Sequence, residues 1–494
     1  MDPPAAMPVL EFDIDPADLS ALLRAPALTA LRAGRARTSR LRTVWHDTAA
    51  HSLQGQGLSL AEQGGHWRLE RLVPNGEADW LPAAPPPVVA EAESAAALES
   101  QLPGKLTPIA AFAGTRRSFP LAGHGPAARL DVLQGDLRGV AHDEPACRVV
   151  LSGESQAMAG LALELAGQAR LRVPRAGLAA CAMALAAGTQ PAPRHTGGPR
   201  VPPGLTVDQA LVLITGHLAD VILHWSRSAP AGASPEPVHQ MRVAVRRLRT
   251  ALSLFRRAAP EAVLDDIAAE LKAVAARLGT ARDWDVFLGE TAAPVREAFE
   301  NDSRVASLLA AAAKRRAAAY ADLRAYLNSP AWRQLGLRLA LLPTLRPWSP
   351  AGGLGDQPGM LTAPAEAYAS QALHRAFKRL LGAGDDLSQL DAHALHDVRK
   401  QAKKLRYATE FFTPLFPVKP VRRFVEKLVD LQQCLGGLND GAVAAQLTHE
   451  LGGGASRAFA AGVVQGWVAA QTAPAARRSF KAWQKLAEQD RFWA

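Results

Sequence analysis

The sequence predicts a multidomain chain, an α+β half over residues 1–187 followed by an all-helical half built from two related parts. Three observations predict it. Short alternating segments end at a Pro/Gly-rich stretch, helical periodicity dominates after it, and a basic motif recurs 157 residues apart.

In the first half, alternation of apolar and polar residues predicts strands at Pro8–Ile14, Arg40–His46, His66–Leu72, Arg129–Leu133 and Arg148–Leu151. Helical spacing appears at Pro16–Leu31 and Gln156–Ala169. Gly55 and Gly57 have no third glycine at the spacing of a dinucleotide loop, so they read as a turn. The stretch Gly188 to Gly204 (GTQPAPRHTGGPRVPPG) reads as a linker. The remaining residues, 205–494, are helical, with breaks at Ser228–Pro237, Leu342–Pro358, Gly382–Gln389 and Gly452–Gly454. The break at Leu342–Pro358 divides this region into halves of about 205–341 and 359–494.

The two halves repeat each other. Residues 239–249 read HQMRVAVRRLR and residues 396–406 read HDVRKQAKKLR. The same offset of 157 carries Leu278-Gly279 onto Leu435-Gly436, Asp283 onto Asp440, His217 onto His374 and Phe255 onto Phe412, with no gap. On a helix, His239, Arg242, Arg246 and Arg249 fall on one face, as do His396, Arg399, Lys403 and Arg406. Arg247 and Lys404 flank those stripes. The apolar face is separate: Met241, Val245, Leu248, Leu252 and Phe255 in one helix, Val398, Ala402, Leu405, Thr409 and Phe412 in the other.

Like charges three and four residues apart cost a few tenths of a kcal/mol per pair on an exposed helix. A surface kept for stability would alternate acids with bases, and neither stripe holds a carboxylate. Each stripe runs about 15 Å, which suits an extended polyanion. Arginine offers a bidentate fork to phosphate, and lysine a mobile point charge. The competing reading pairs these arginines with carboxylates of neighbouring helices, for instance Asp283 and Asp440. Both aspartates follow a Leu-Gly pair and are also expected to cap the next helix.

Charge agrees with a partner for the second half only. Residues 1–200 hold 19 Lys and Arg against 19 Asp and Glu, and the remainder holds 37 against 27, the whole of the net +10. The three cysteines, Cys147, Cys181 and Cys434, are far apart and in no metal-ligand spacing, so a disulfide framework and a zinc site are not expected. The N-terminus lacks a basic segment followed by an apolar one, and the longest apolar run, Leu178 to Ala187, is short for a bilayer. A cytoplasmic protein without a membrane partner is expected.

The pair HQMRVAVRRLR and HDVRKQAKKLRY, with LGTARDWDV and LGGLNDGAV downstream and GWVAAQ, FKAWQKL and FW near the end, resembles the CHAD domain, the conserved-histidine α-helical domain. The resemblance covers about residues 205–494. It implies two helical bundles related by a pseudo-twofold axis, with the basic helices lining a channel or groove that binds inorganic polyphosphate. Some proteins carrying the domain collect on polyphosphate granules, and granule proteins are then possible partners. The matching positions are His239, Arg242, Arg246, Arg247, Arg249, His396, Arg399, Lys403, Lys404 and Arg406. Lys272, Arg375, Arg379, Arg423 and Lys427 are candidates to extend the site.

DIDPADLSALL, TVWHDT, GLSLAEQGGHWRLERL and LSGESQAMAGLALELA resemble, in order and spacing, a CYTH domain, a triphosphate-tunnel β-barrel. That family's first strand carries E-x-E-x-K, where this chain has Met7, Val9 and Glu11. Its L-R-L-R segment reads Leu58-Ser59-Leu60-Ala61, and a later E-x-E reads Cys147-Arg148-Val149. The frame is therefore degenerate: no metal, no cofactor and no enzyme activity are expected. Arg40, Arg42, Arg68, Arg116, Arg117 and Arg175 remain as basic residues of this half. No P-loop, H-E-x-x-H or G-x-S-x-G motif is present. Two alternatives stay open: the basic groove takes single-stranded nucleic acid or another polyanion, or the first half keeps a residual triphosphate hydrolase.

Overall fold

The computed structural model describes residues 9–72, 83–84, 88–92, 105–123, 128–139, 142–349, 358–384, 387–451 and 454–494. Met7 and residues 350–357 of the predicted break at Leu342–Pro358 lie outside these residues. Contacts group the chain into two compact units. The first comprises residues 1–197, 215–224 and 328–347, and the second comprises 198–214, 225–327 and 348–494. The first crossing, between Gly197 and Gly198, falls within residues 188–204, and two later segments also join the first unit.

The first unit is built on one antiparallel sheet. Its strands are β1 (Val9–Asp13), β2 (Arg37–Asp47), β3 (Leu58–Gln63), β4 (His66–Arg71), β5 (Val88–Ala92), β6 (Thr107–Pro120), β7 (Arg129–Arg138) and β8 (Asp143–Ser152). The order is β1-β8-β7-β6-β2-β3-β4-β5. The sheet curls into a half-barrel consistent with a CYTH-like frame. Six strand spacings separate β1 from β4, roughly 29 Å in a flat sheet. Yet the charge of Glu11 on β1 helps to raise the Glu70 carboxyl on β4, behind burial as the larger cause. Glu11 and Glu70 therefore lie on the concave side.

Alternation along the strands sorts the core into two layers. On the outer side, Phe12, Leu130, Val132, Val149 and Leu151 pack with residues of α1 (Leu19–Leu23), α2 (Pro26–Leu31) and α4 (Ser155–Ala166). The same layer takes Leu337, Ala340 and Leu341 of the later helix Pro330–Leu345, which explains why 328–347 groups here. On the inner side, Trp45, Ala61, Leu133 and Val150 pack against Ala179, Ala182 and Met183 of α5 (Leu178–Ala186). The short α3 (Ser52–Gly55) precedes β3. Gly57 follows it with φ at 71°, the turn that the sequence predicts.

The helical region comprises α6 (Val207–Ser226), α7 (Glu236–Phe255), α8 (Ala262–Val286), α9 (Ala293–Ala298), α10 (Ser303–Leu327), α11 (Pro330–Leu345), α12 (Pro358–Leu361), α13 (Ala365–Leu381), α14 (Ala392–Phe412), α15 (Val418–Glu450) and α16 (Gly454–Ala487). The stretch from Val207 to Ala231 is long and apolar enough to cross a bilayer, a point missed by looking only for unbroken apolar runs; 67% of its most apolar window is buried, as in a core helix. In the second unit the two repeat halves share a core. Trp284, Phe287, Leu308 and Ala312 from one half pack with Leu447, Leu451, Ala460 and Val464 from the other. The end of the predicted linker is also fixed: Val201 is buried and donates its backbone N–H to Phe411 O at 2.8 Å.

Candidate functional site

α7 and α14 bury the apolar stripes read from the sequence: Met241, Val245, Leu248 and Phe255 on one, Val398, Ala402, Leu405, Thr409 and Phe412 on the other. The Asp391 carboxylate caps α14 by accepting from Ala394 N at 2.7 Å. The two helices meet at two described points. Arg247 Nη2 donates to Glu410 at 2.8 Å, and the Phe255 and Phe412 rings lie 6.2 Å apart. Phe255 and Phe412 are repeat equivalents, so the two halves meet along matching positions.

That packing brings most of the predicted basic residues together. Arg242, Arg246, Arg247, Arg249, Arg399, Lys403 and Arg406 are all half-buried. Desolvation and like charge then act on them jointly. Burial, followed by the charges of Arg399, Arg246 and Arg242, pulls the Lys403 ammonium down to about 7. Burial lowers Arg242, against the opposing pull of Asp283. Burial likewise lowers Arg399, against Asp440. Burial alone lowers Arg249. His239 is half-buried, and burial with the charge of Arg282 disfavours its protonated form. His396 is exposed, so the repeated histidines occupy unlike surroundings.

Carboxylates answer only part of this charge. Glu410 bridges Arg247, at 2.8 Å, and Arg406, at 3.2 Å. Asp440 reaches Arg399 at 3.7 Å. Asp283 stands near Arg242, and burial together with Asp440 raises its carboxyl. The expected capping role for Asp283 and Asp440 is corrected here. Asp440 lies in the middle of α15, and Asp283 lies in the last turn of α8, which runs on into a π-helical turn at Phe287–Thr291, while the N-cap of α9 is Ala292; neither aspartate stands at a helix N-terminus. The alternative reading of carboxylate partners thus accounts for Arg247, Arg406 and Arg399.

The remainder is under-satisfied. Among the described residues, Nε of Arg246, Arg247 and Arg399 is buried without a hydrogen-bond acceptor. So is the Tyr407 hydroxyl, whose ring lies 5.9 Å from Arg246, 5.4 Å from Arg247 and 5.4 Å from Arg406. Gly279 makes the approach of Arg242 to α8 possible, since a Cβ there would lie 2.5 Å from Arg242 Nη1. Its repeat mate Gly436 has no such neighbour.

Lys272, Arg423 and Lys427 are not brought in. Lys272 and Arg423 are exposed and Lys427 half-buried, and no described contact joins them to the stripes. Arg375 and Arg379 instead line a cavity of about 110 Å³ between α7, α13 and α14. Lys404 lines it too, with Thr250, Ser253 and Arg257. Arg257 was missed in the sequence, although steps of four from Arg249 through Ser253 to Arg257 continue the same face of α7.

The half-barrel treats its charges differently. On its concave side Arg148 is 4% exposed and pairs with Glu11 at 3.0 Å and Asp13 at 2.9 Å. It also donates to Ala176 O at 2.7 Å, just before α5. Asp131, fully buried, holds Arg116 at 3.0 Å and Arg129 at 3.1 Å. Register corrects one alignment: Cys147 and Val149 belong to the outer layer, and the inward residues of β8 are Ala146, Arg148 and Val150. None of the three is a carboxylate. Of the other basic candidates, Arg68 pairs with Glu70 and Arg175 bonds Gln190. Arg117 lies over Phe119, and Arg40 and Arg42 are exposed on β2.

Residues 213–449 match the family model of the CHAD domain. A solved CHAD domain from the plant Ricinus communis is similar at 29% identity and a TM-score of 0.51, covering 61% of this chain and 98% of that one. A structure of PptA from Streptomyces chartreusis matches at 19% identity and a TM-score of 0.44, covering 57% of this chain and all of that one. No curated protein matches the chain.

Proposed function

Because residues 213–449 are a CHAD domain, a domain associated with polyphosphate binding in general, we propose that this chain binds inorganic polyphosphate between α7 and α14 without chemically altering it. The observation that carries the reading is the meeting of Arg242, Arg246, Arg399 and Lys403, where burial and then the neighbouring charges pull Lys403 down to about 7. Cations assembled at such cost are stabilised by an anion that replaces their lost water. Phosphate oxygens supply acceptors for the unsatisfied guanidinium nitrogens. A linear chain of phosphates meets the whole stripe and releases its counterions, which makes binding steeply salt-dependent. Association with cytoplasmic polyphosphate granules belongs to the same proposal.

Two features favour polyphosphate over the alternatives. Single-stranded nucleic acid is held by exposed aromatic platforms. Here Tyr407 is 1% exposed and Trp284 2% exposed, both in the core. For a triphosphate hydrolase, the half-barrel's concave side would need metal-holding carboxylates and room for phosphates. It holds Glu11 and Asp13 already committed to Arg148, with α5 packed against its apolar part.

Competition tests the reading. Labelled polyphosphate bound to the full chain is displaced by unlabelled polyphosphate or by single-stranded RNA of matched charge. Polyphosphate is expected to displace at far lower concentration. Equal displacement by RNA would replace the proposal with general polyanion binding.

A further inference from the structure

The cavity between α7, α13 and α14 is lined by Arg257, Arg375, Arg379 and Lys404, with the hydroxyls of Thr250 and Ser253, and by no carboxylate. Among the described residues no acid partners Arg257, Arg379 or Lys404. Burial, followed by the charges of Arg379, Arg249 and Lys400, pushes the Lys404 ammonium below the ordinary lysine range. Arg375 is partly occupied, lying 5.8 Å from the Tyr368 ring.

The internal repeat supplies a control within the molecule. The offset of 157 carries Arg247 onto Lys404 and Ser253 onto Glu410. On one side Arg247 is neutralised by Glu410 at 2.8 Å. On the other side Lys404 lines a cavity in which the position equivalent to Glu410 is Ser253. Further cations are added only there: the equivalents of Arg257, Arg375 and Arg379 are Pro414, Leu218 and Ile222. Cations near a helix C-terminus also favour the dipole, which accounts for Arg379 in the last turn of α13. That role does not call for four cations around one cavity or for the loss of the acid.

We infer that this cavity is a second phosphate-binding pocket, which holds phosphoryl groups of the same polyanion that occupies the groove between α7 and α14. The inference rests on the proposed function. It adds that the two repeat halves are unequal, one partly neutralised by Glu410 and one open to ligand. From Arg246 to Arg257 the α7 face runs roughly 16 Å. A long chain therefore spans groove and pocket together, the second contact being made at high effective concentration. A short polyphosphate fills each separately.

Calorimetric titration of the full chain at low salt, with tripolyphosphate and with long-chain polyphosphate, tests the pocket. The variants are R257Q/R379Q and S253E in the pocket, and R242Q/R399Q in the groove. S253E places beside Lys404 the acid that neutralises Arg247 on the other side. Wild type is expected to take up about two tripolyphosphates and either pair of variants about one. Long-chain affinity is expected to fall about tenfold or more in the pocket variants. If wild type takes up one tripolyphosphate, lost only in the groove variant, and the pocket variants bind the long chain unchanged, the pocket is overturned and the proposed function stands. Loss confined to the pocket variants would instead support the pocket and move the site away from the groove. Inorganic phosphate serves as the third ligand: if it saturates the pocket as tightly as tripolyphosphate does, a free phosphate site replaces the chain site.

Discussion

The half-barrel and the paired helices both bury arginines, and they settle the cost in opposite ways. Among the described residues of the half-barrel the most buried charges are paired, Arg148 with Glu11 and Asp13 and Asp131 with Arg116 and Arg129, although Nε of Arg32 and Arg175 lacks an acceptor there too. Between α7 and α14, cations face cations, Lys403 is driven to about 7, and several guanidinium nitrogens have no acceptor. Paired charges specify a structure and need nothing further. Unpaired ones are tolerated where a ligand completes them. The difference teaches that charge count alone would mislead, since the half-barrel is also rich in arginine.

The comparison breaks first at Arg148. Glu11→Gln is expected to destabilise the half-barrel by about 2–3 kcal/mol, at the low end for a broken buried pair because Asp13 remains. Urea unfolding reads the loss, and polyphosphate affinity should not move. A variant as stable as wild type would mean the pairing there is incidental.

Lys403 sharpens the comparison from the other side. Its folded pKa lies below the unfolded value, so the ligand-free protein carries fewer protons there than the unfolded chain. Stability without ligand therefore rises with pH between about 7 and the ordinary lysine value. Binding runs the other way. Above pH 7 the polyanion must recharge Lys403, so affinity falls as pH rises, by up to about tenfold per unit. Lys403→Met should flatten that profile, weaken binding at pH 7, and raise the unfolding midpoint by ~2–4 °C. A variant that lost stability would show that Lys403 is paired after all. The smallest effect is expected at Glu410. Glu410→Gln frees Arg247 and Arg406 and should tighten polyphosphate binding only severalfold, by about 0.5–1 kcal/mol.

Much of the groove was legible because helix periodicity and the repeat say the same thing twice. The stripes, their apolar backs and Arg247 and Lys404 could all be placed from the pattern. Glu410 could not: it sits four residues beyond Arg406 like any surface acid, and only the crossing of α7 with α14 brings it to Arg247. The pocket residue Arg257 was overlooked because it follows the last turn of α7. In the half-barrel, β6 was missed. Its AAFAGTRRSF segment lacks β-branched alternation, and Gly114 is there because a Cβ would lie 2.3 Å from Gln134 O on β7. The aspartates Asp283 and Asp440 were misread as caps because helix ends were inferred from local turn chemistry, and α8 and α15 continue through it.

The most direct test is affinity for labelled polyphosphate across a salt series, for the full chain and for Arg242→Ala/Arg399→Ala. The account predicts tight binding at low salt with a steep log–log slope. In the double variant affinity should fall by roughly 10²–10³ and the slope should become shallower by roughly 1–2. Equal slopes and affinities in a folded variant would contradict it, leaving the α7 and α14 stripes as a feature of packing.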